Sequence, residues 1–186
     1  MEVLDARAET DQIINALIAG LTPEHRDMKT PCKKWNVHDL VNHMVGGGHM
    51  ISAALSQDPS AMPDMEADLL PEGPANGWAG AVAAMQAAAT PENLESPRQL
   101  PFGEMPGAVG LSVITADHLS HAWDLARATD QAIDASDELA EWATQTWGMV
   151  LTDEMRNGDA FDVEQPCPDD APAIDKLAAF TGRSVE

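Results

Sequence analysis

The stretch Asp117-His118-Leu119-Ser120-His121-Ala122-Trp123-Asp124 lies inside an apolar segment whose spacing predicts a helix over residues 108–129. Asp117 and His121 stand four apart and so share one side of that helix, one turn from each other. At about 100° per residue, Leu111, Ile114, Ala122 and Leu125 form one stripe. His118 falls at its middle, His121 at its edge and Asp117 just beyond. A second imidazole, His43, flanks the apolar stripe of an upstream segment, beside Leu40 and Ala54. Edge positions let side chains line a cleft between helices without giving up core. A carboxylate and an imidazole one turn apart can close two coordination positions of a divalent metal, and an imidazole from another helix can close a third. Three protein ligands with a position left for water or substrate distinguish a catalytic zinc site from a structural one.

Spacing alone is weak testimony. Acidic residues number 31 of 186, so six histidines should by chance give one acid four residues upstream. There are two, Asp39 with His43 and Asp117 with His121. The bland alternative makes His118 a hydrogen-bonded core histidine and Asp117 and Asp39 surface charges. Asp39 can also be an acceptor that orients His43. His118, one turn from the other candidates, is an alternative ligand or a pocket residue. His25, His38 and His49 have no convergent partner and read as surface residues. Asp124 and Arg127 form an ordinary helical ion pair, and Trp123 faces a secondary interface.

Outward from this motif the chain reads as helices with uneven connections. Residues 4–21 place Ile14, Leu17, Ile18 and Leu21 inward, and Thr22-Pro23-Glu24 begins a short turn. Pro31, Cys32 and Trp35 fall in a loop. A helix over about residues 37–57 carries Leu40, Val41, Met44, Val45, Ile51 and Leu55, interrupted by three glycines at 46–48. Each glycine costs about 1 kcal/mol against alanine, so space is needed there, Gly47 lying one turn beyond His43. Residues 58–73 read as a loop, 76–89 as an alanine-rich helix, and Leu100-Pro101-Phe102-Gly103-Glu104-Met105 as a hairpin or ordered loop. A helix from a Ser136 cap to about Asn157 is expected to bury Leu139, Trp142, Ala143, Met149 and Val150. An extended segment from Pro166 to Pro172 precedes a short helix from Ala173 to Phe180. The fold class is all-α, a bundle that projects ligands inward from facing helices.

Length and composition set the frame. With 186 residues and 44% hydrophobic content, one domain spanning 1–186 is expected. Ten basic against 31 acidic residues leave a net charge of −21. Such a field opposes nucleic-acid and anionic-membrane partners. No apolar run reaches the ~18 residues of a membrane helix, and Glu2, Asp5 and Glu9 do not make a signal peptide. Two cysteines, Cys32 and Cys167, are too few for a disulfide scaffold, which favours the reducing cytoplasm and free thiols. No nucleophile elbow, phosphate loop or dinucleotide fingerprint is present.

Several segments together resemble the DinB-like metalloenzyme superfamily, in its actinobacterial branch related to the N-terminal domain of mycothiol-dependent maleylpyruvate isomerase. They are Thr30-Pro31-Cys32 with Trp35, Val37 through Gly47 with His43, the Leu100–Met105 hairpin, Asp117 to Thr129 (DHLSHAWDLARAT), and Ala178-Ala179-Phe180-Thr181-Gly182-Arg183. The resemblance implies a four-helix bundle, with a small hairpin before the ligand helix and a C-terminal tail. It further implies a divalent metal, zinc or nickel, held by His43, Asp117 and His121. Asp117 stands where the isomerase has glutamate, one methylene longer. The isomerase also carries a C-terminal domain for which this chain leaves no room, so maleylpyruvate isomerisation itself is not expected. The activity implied is a metal-dependent thiol transferase or isomerase-like reaction, with a small-molecule thiol and an electrophile as partners. Two alternatives stay open. One is a non-catalytic protein of this fold that binds metal or a small ligand; the other is a bundle with a vestigial site whose role is association, such as a homodimer.

Overall fold

The computed structural model describes residues 1–100, 103–158 and 161–185. Pro101 and Phe102 of the expected hairpin lie outside the described residues. The protein is mostly helical, with seven α-helices and one two-stranded antiparallel sheet among the described residues. α1 runs Val3–Ala19, α2 Val37–Ser56, α3 Pro74–Ala88 and α4 Pro91–Glu95; β1 (Pro97–Leu100) and β2 (Gly103–Pro106) follow. α5 spans Gly107–Ala128, α6 Asp137–Val150 and α7 Ala173–Phe180. Four of them close a ring of contacts, α1 on α5, α5 on α2, α2 on α3 and α3 on α1. α6 packs on α5, and α7 covers α6 and α5.

The helix starts follow local chemistry. The Asn36 side chain accepts from Asp39 N–H at 2.9 Å, while the Asp39 carboxylate accepts from Asn36 N–H at 3.2 Å. This reciprocal box satisfies two free donors at the start of α2. Asp39 is therefore a cap, and it does not orient His43. Ser136 caps α6 by accepting from Leu139 N–H at 3.1 Å. The loop between α1 and α2 is pinned by a bridge between Lys29 and Asn36. Within it the Thr30 hydroxyl donates to the Trp35 carbonyl at 2.8 Å and accepts from Cys32 N–H at 3.2 Å. That fold-back sets Cys32 and Trp35 beside the N-terminal half of α2.

Glycines 46–48 do not interrupt α2, which runs through them unbroken. A Cβ on Gly47 would lie 2.9 Å from Ile114 Cδ1 and 3.4 Å from His118 Nε2, and one on Gly48 would lie 3.0 Å from Ala81 Cβ. The triplet thus lets α5 and α3 approach α2. The space those glycines leave is taken by neighbouring side chains, Ile114 and His118 at Gly47 and Ala81 and Met85 at Gly48.

α6 departs from expectation at its far end. It stops at Val150, and Met149, expected inside, is 78% exposed. Trp142 is only half-buried, and the buried indole belongs to Trp147. Trp147 N–H donates to Ser120 Oγ at 3.2 Å, and its ring meets Phe161 edge-on at 4.9 Å. Leu139, Ala143 and Trp147, four residues apart, form the inward stripe, and Met149 falls outside it on the outer side.

Candidate metal centre

α5 presents Asp117 and His121 on one side, and α2 brings His43 across from them. His43 Nε2 lies 3.5 Å from one Asp117 oxygen and His121 Nε2 lies 3.5 Å from the other. One donor atom from each of the three residues falls within 4.8 Å of the others. Tetrahedral ligands bonded at ~2.0–2.1 Å stand roughly 3.4 Å apart. The three side chains are thus spaced as a single cation's ligands would be, and 3.5 Å is too long for a good hydrogen bond. His43 and His121 meet edge to face, with ring centroids 5.0 Å apart.

Behind this face is a layer of partners that the sequence reading did not anticipate. His121 Nδ1 sits 2.9 Å from Asp124 Oδ2. With Nδ1–H donating to that carboxylate, the Nε2 lone pair is left toward Asp117 and His43, the arrangement that orients metal-binding histidines. Asp124 is fully buried and is held by Arg183, whose Nη2 donates at 2.8 Å and Nε at 3.2 Å. The Cys32 thiol donates to the same Asp124 oxygen at 3.0 Å. The expected Asp124–Arg127 ion pair is therefore replaced by Asp124–Arg183. Arg127 instead lies over the Trp123 ring at 5.2 Å. Asp124 sits three residues from both His121 and Arg127, so spacing favoured neither; burial decides for the pair that needs a counter-charge. Trp123 does face a secondary interface, donating to Asp175 Oδ1 of α7 at 2.7 Å.

Cys32, His121 and Asp124 also present donor atoms within 4.8 Å of one another. That second group is a hydrogen-bond network in place of a cation site. Its carboxylate is already filled by the Arg183 guanidinium, whose positive charge opposes a metal ion beside it. All three residues of the first group line a cavity of about 380 Å³, with Trp35, Phe161 and Arg183, whereas Asp124 of the second group does not reach it. Trp35 stacks on His43 at 4.3 Å with the rings inclined 30°, which restrains the most exposed of the three ligand candidates.

The electrostatics favour positive charge at this point. Burial would raise the Asp117 pKa, but the imidazoles of His121 and His43 hold it well below the ordinary carboxylate range. Burial would lower that of His121, yet the negative charge of Asp117 first, then Asp124 and Cys32 at its other nitrogen, hold it well above the ordinary imidazole value. A cation at His121 Nε2 is welcome, whether a proton or a metal ion.

His118 takes no part in this group. It is fully buried, with Nδ1 2.8 Å from Arg7 Nη1 and its ring edge-on to Trp78 at 5.1 Å. Arg7 is in turn paired with Asp11 at 2.6 Å. The core-histidine reading holds, although the guanidinium partner was not foreseen. Of the remaining histidines, His25 accepts from Thr22 N–H at 3.2 Å and His38 lies 3.5 Å from Asp68.

Residues 6–126 match the family described as the mycothiol maleylpyruvate isomerase N-terminal domain. The chain belongs to that family. The match includes His43, Asp117, His121 and Asp124 and stops short of Arg183. Uncharacterized proteins of Mycobacterium tuberculosis, MT0763 of strain CDC 1551 and Rv0738 of strain H37Rv, are each 36% identical to the chain, with 100% of both sequences covered. No solved structure matches. No described helix is long and apolar enough to cross a membrane.

Proposed function

We propose that the chain is a divalent-metal-dependent enzyme of the thiol transferase or isomerase type. In this reading, residues 1–186 form one DinB-like four-helix bundle domain, of α1, α2, α3 and α5, working in the cytoplasm. One observation carries it: His43 and His121 point Nε2 at the two oxygens of Asp117 from different helices, beside a cavity. The family description supports a thiol as substrate.

His43, Asp117 and His121 would hold the ion, zinc or nickel, through two nitrogens and an oxygen. Bound there, it would lower the pKa of a substrate thiol and hold the thiolate for attack on an electrophile. The residues around it act on position. Asp124 keeps the His121 lone pair aimed at the ligand group, Arg183 keeps Asp124 charged and still, and Trp35 restrains the His43 ring. The apolar side chains of Pro31, Trp35 and Phe161 give the cavity a face for the body of a small molecule. Nucleic acid and anionic membrane are disfavoured as partners by the net charge of −21.

Elemental analysis of protein purified without a histidine tag tests the ligands. His43→Ala and His121→Ala should each lower bound metal; unchanged content in both would refute the assignment. Turnover is tested with mycothiol or another small thiol against a panel of electrophiles. The rate should vanish with chelator and return with metal. Full occupancy with no rate for any thiol would mark a binding protein of the same fold.

A further inference from the structure

Three donors among the described residues converge on a single oxygen, Asp124 Oδ2: Arg183 Nη2 at 2.8 Å, His121 Nδ1 at 2.9 Å and the Cys32 thiol at 3.0 Å. The other oxygen, Oδ1, takes Arg183 Nε at 3.2 Å. A carboxylate offers about two lone-pair positions on each oxygen. The two parallel bonds of the Arg183 fork use one position on each. One position on Oδ2 is then left for two donors, the imidazole Nδ1–H and the thiol S–H, whose heavy atoms stand 3.7 Å apart. Asp124 is fully buried, so they compete for it out of water. The contest is unequal, because a thiol is a weak donor, yet the loop holds the sulfur in place. Cys32 N–H donates to the Thr30 hydroxyl at 3.2 Å, which keeps Cys32 from drawing back.

We infer that Cys32 is a positioning residue that moderates the grip of His121 on a metal ion, by sharing the Asp124 oxygen that aims the imidazole. The inference rests on the metal reading above and adds the residue that sets the strength of one ligand. A histidine gives its lone pair to a metal more readily the more firmly its other N–H is held by a carboxylate. Whatever part of Oδ2 the thiol occupies is lost to Nδ1–H. Removing the donor at position 32 therefore strengthens the ligand, and a stronger donor there weakens it. The sign is opposite to that of Asp124 and Arg183, which support His121.

The experiment compares the full wild-type chain with Cys32→Ala, which cannot donate, and Cys32→Ser, whose hydroxyl donates more strongly. Zinc affinity is measured by competition with a chromophoric chelator, and urea melts confirm that each variant is folded. Cys32→Ala should bind zinc more tightly than wild type and Cys32→Ser more weakly, each by about twofold to tenfold, short of the 10–100-fold that follows outright loss of an orienting partner. A cysteine that only fills space would move both affinities in one direction, along with stability. Unchanged affinities, or shifts of the same sign in both variants, would overturn the inference. If the wild type binds neither zinc nor nickel, the metal reading fails by itself. The role of Cys32 is then read in metal-free protein labelled with 15N-histidine, from the proton on His121 Nδ1. That proton should move downfield in Cys32→Ala and upfield in Cys32→Ser, as its bond to Asp124 strengthens and weakens. No movement, or movement the same way in both, would overturn the inference here too.

Discussion

Replacing Asp124 by Asn separates what this carboxylate does for the fold from what it does for the site. In the wild type its two oxygens receive Arg183 at 2.8 and 3.2 Å, His121 Nδ1 at 2.9 Å and the Cys32 thiol at 3.0 Å, all out of water. The amide keeps the shape but removes the charge and turns an NH2 toward donors. Leaving the Arg183 guanidinium buried without its anion should cost about 3–5 kcal/mol of stability. Metal affinity should fall by about 10–100-fold, the usual effect of losing the group that orients a ligand histidine. Asp124→Asn/Arg183→Met removes the stranded cation and should recover part of the stability, as apolar replacement of buried pairs often does. It should recover none of the affinity. Urea melts give the first quantity, and competition with a chromophoric chelator gives the second. Wild-type affinity in the double variant would refute the argument that Arg183 and Asp124 act on the metal through His121.

Two further outcomes follow from the core. Burial, and then Arg7, keep His118 well below its ordinary value of 6.5, so the folded protein resists a proton that the unfolded chain accepts. Its contribution to stability should be intact above about pH 6.5 and fall as pH drops through that value, by up to about 1.4 kcal/mol per unit; His118→Gln should flatten the slope measured by melts between pH 6.5 and 5, and equal slopes would count against it. Gly107→Ala drives a methyl onto the Asn93 carbonyl oxygen, a backbone atom that cannot turn aside, and should cost about 1–3 kcal/mol, whereas Gly80→Ala in α3 meets nothing within 4 Å and should stabilise by up to about 1 kcal/mol; opposite signs of shift in Tm check the pair.

The sequence located α1, α2, α3, α5 and α7 to within two residues, because each has an apolar stripe or, in α3, a run of alanines, with a cap, glycine or proline at its ends. It failed at Met149 on helical phase, and elsewhere where a side chain answers to a distant partner. Met149, expected inside, is out of phase with Leu139 and Ala143, whereas Trp147, four residues beyond Ala143, continues their face and is the one buried. The edge positions of His43, Asp117 and His121 could be read from helical phase, since each depends on its own helix alone. Asp124 could not: its spacing fits two partners, and the deciding guanidinium lies 59 residues further along the chain. Cys32 carried no pattern either, because a Thr30-anchored loop, without helical or strand periodicity, places it.

That distant guanidinium has a consequence for handling the protein. Reciprocity between coupled equilibria requires that if the docked tail tightens the grip on an ion, the ion must equally tighten the docking of the tail. Protection of residues 181–183 from exchange or protease would then rise on loading, so this segment, which borders the same cavity, would serve as a gauge of occupancy without itself supplying a ligand.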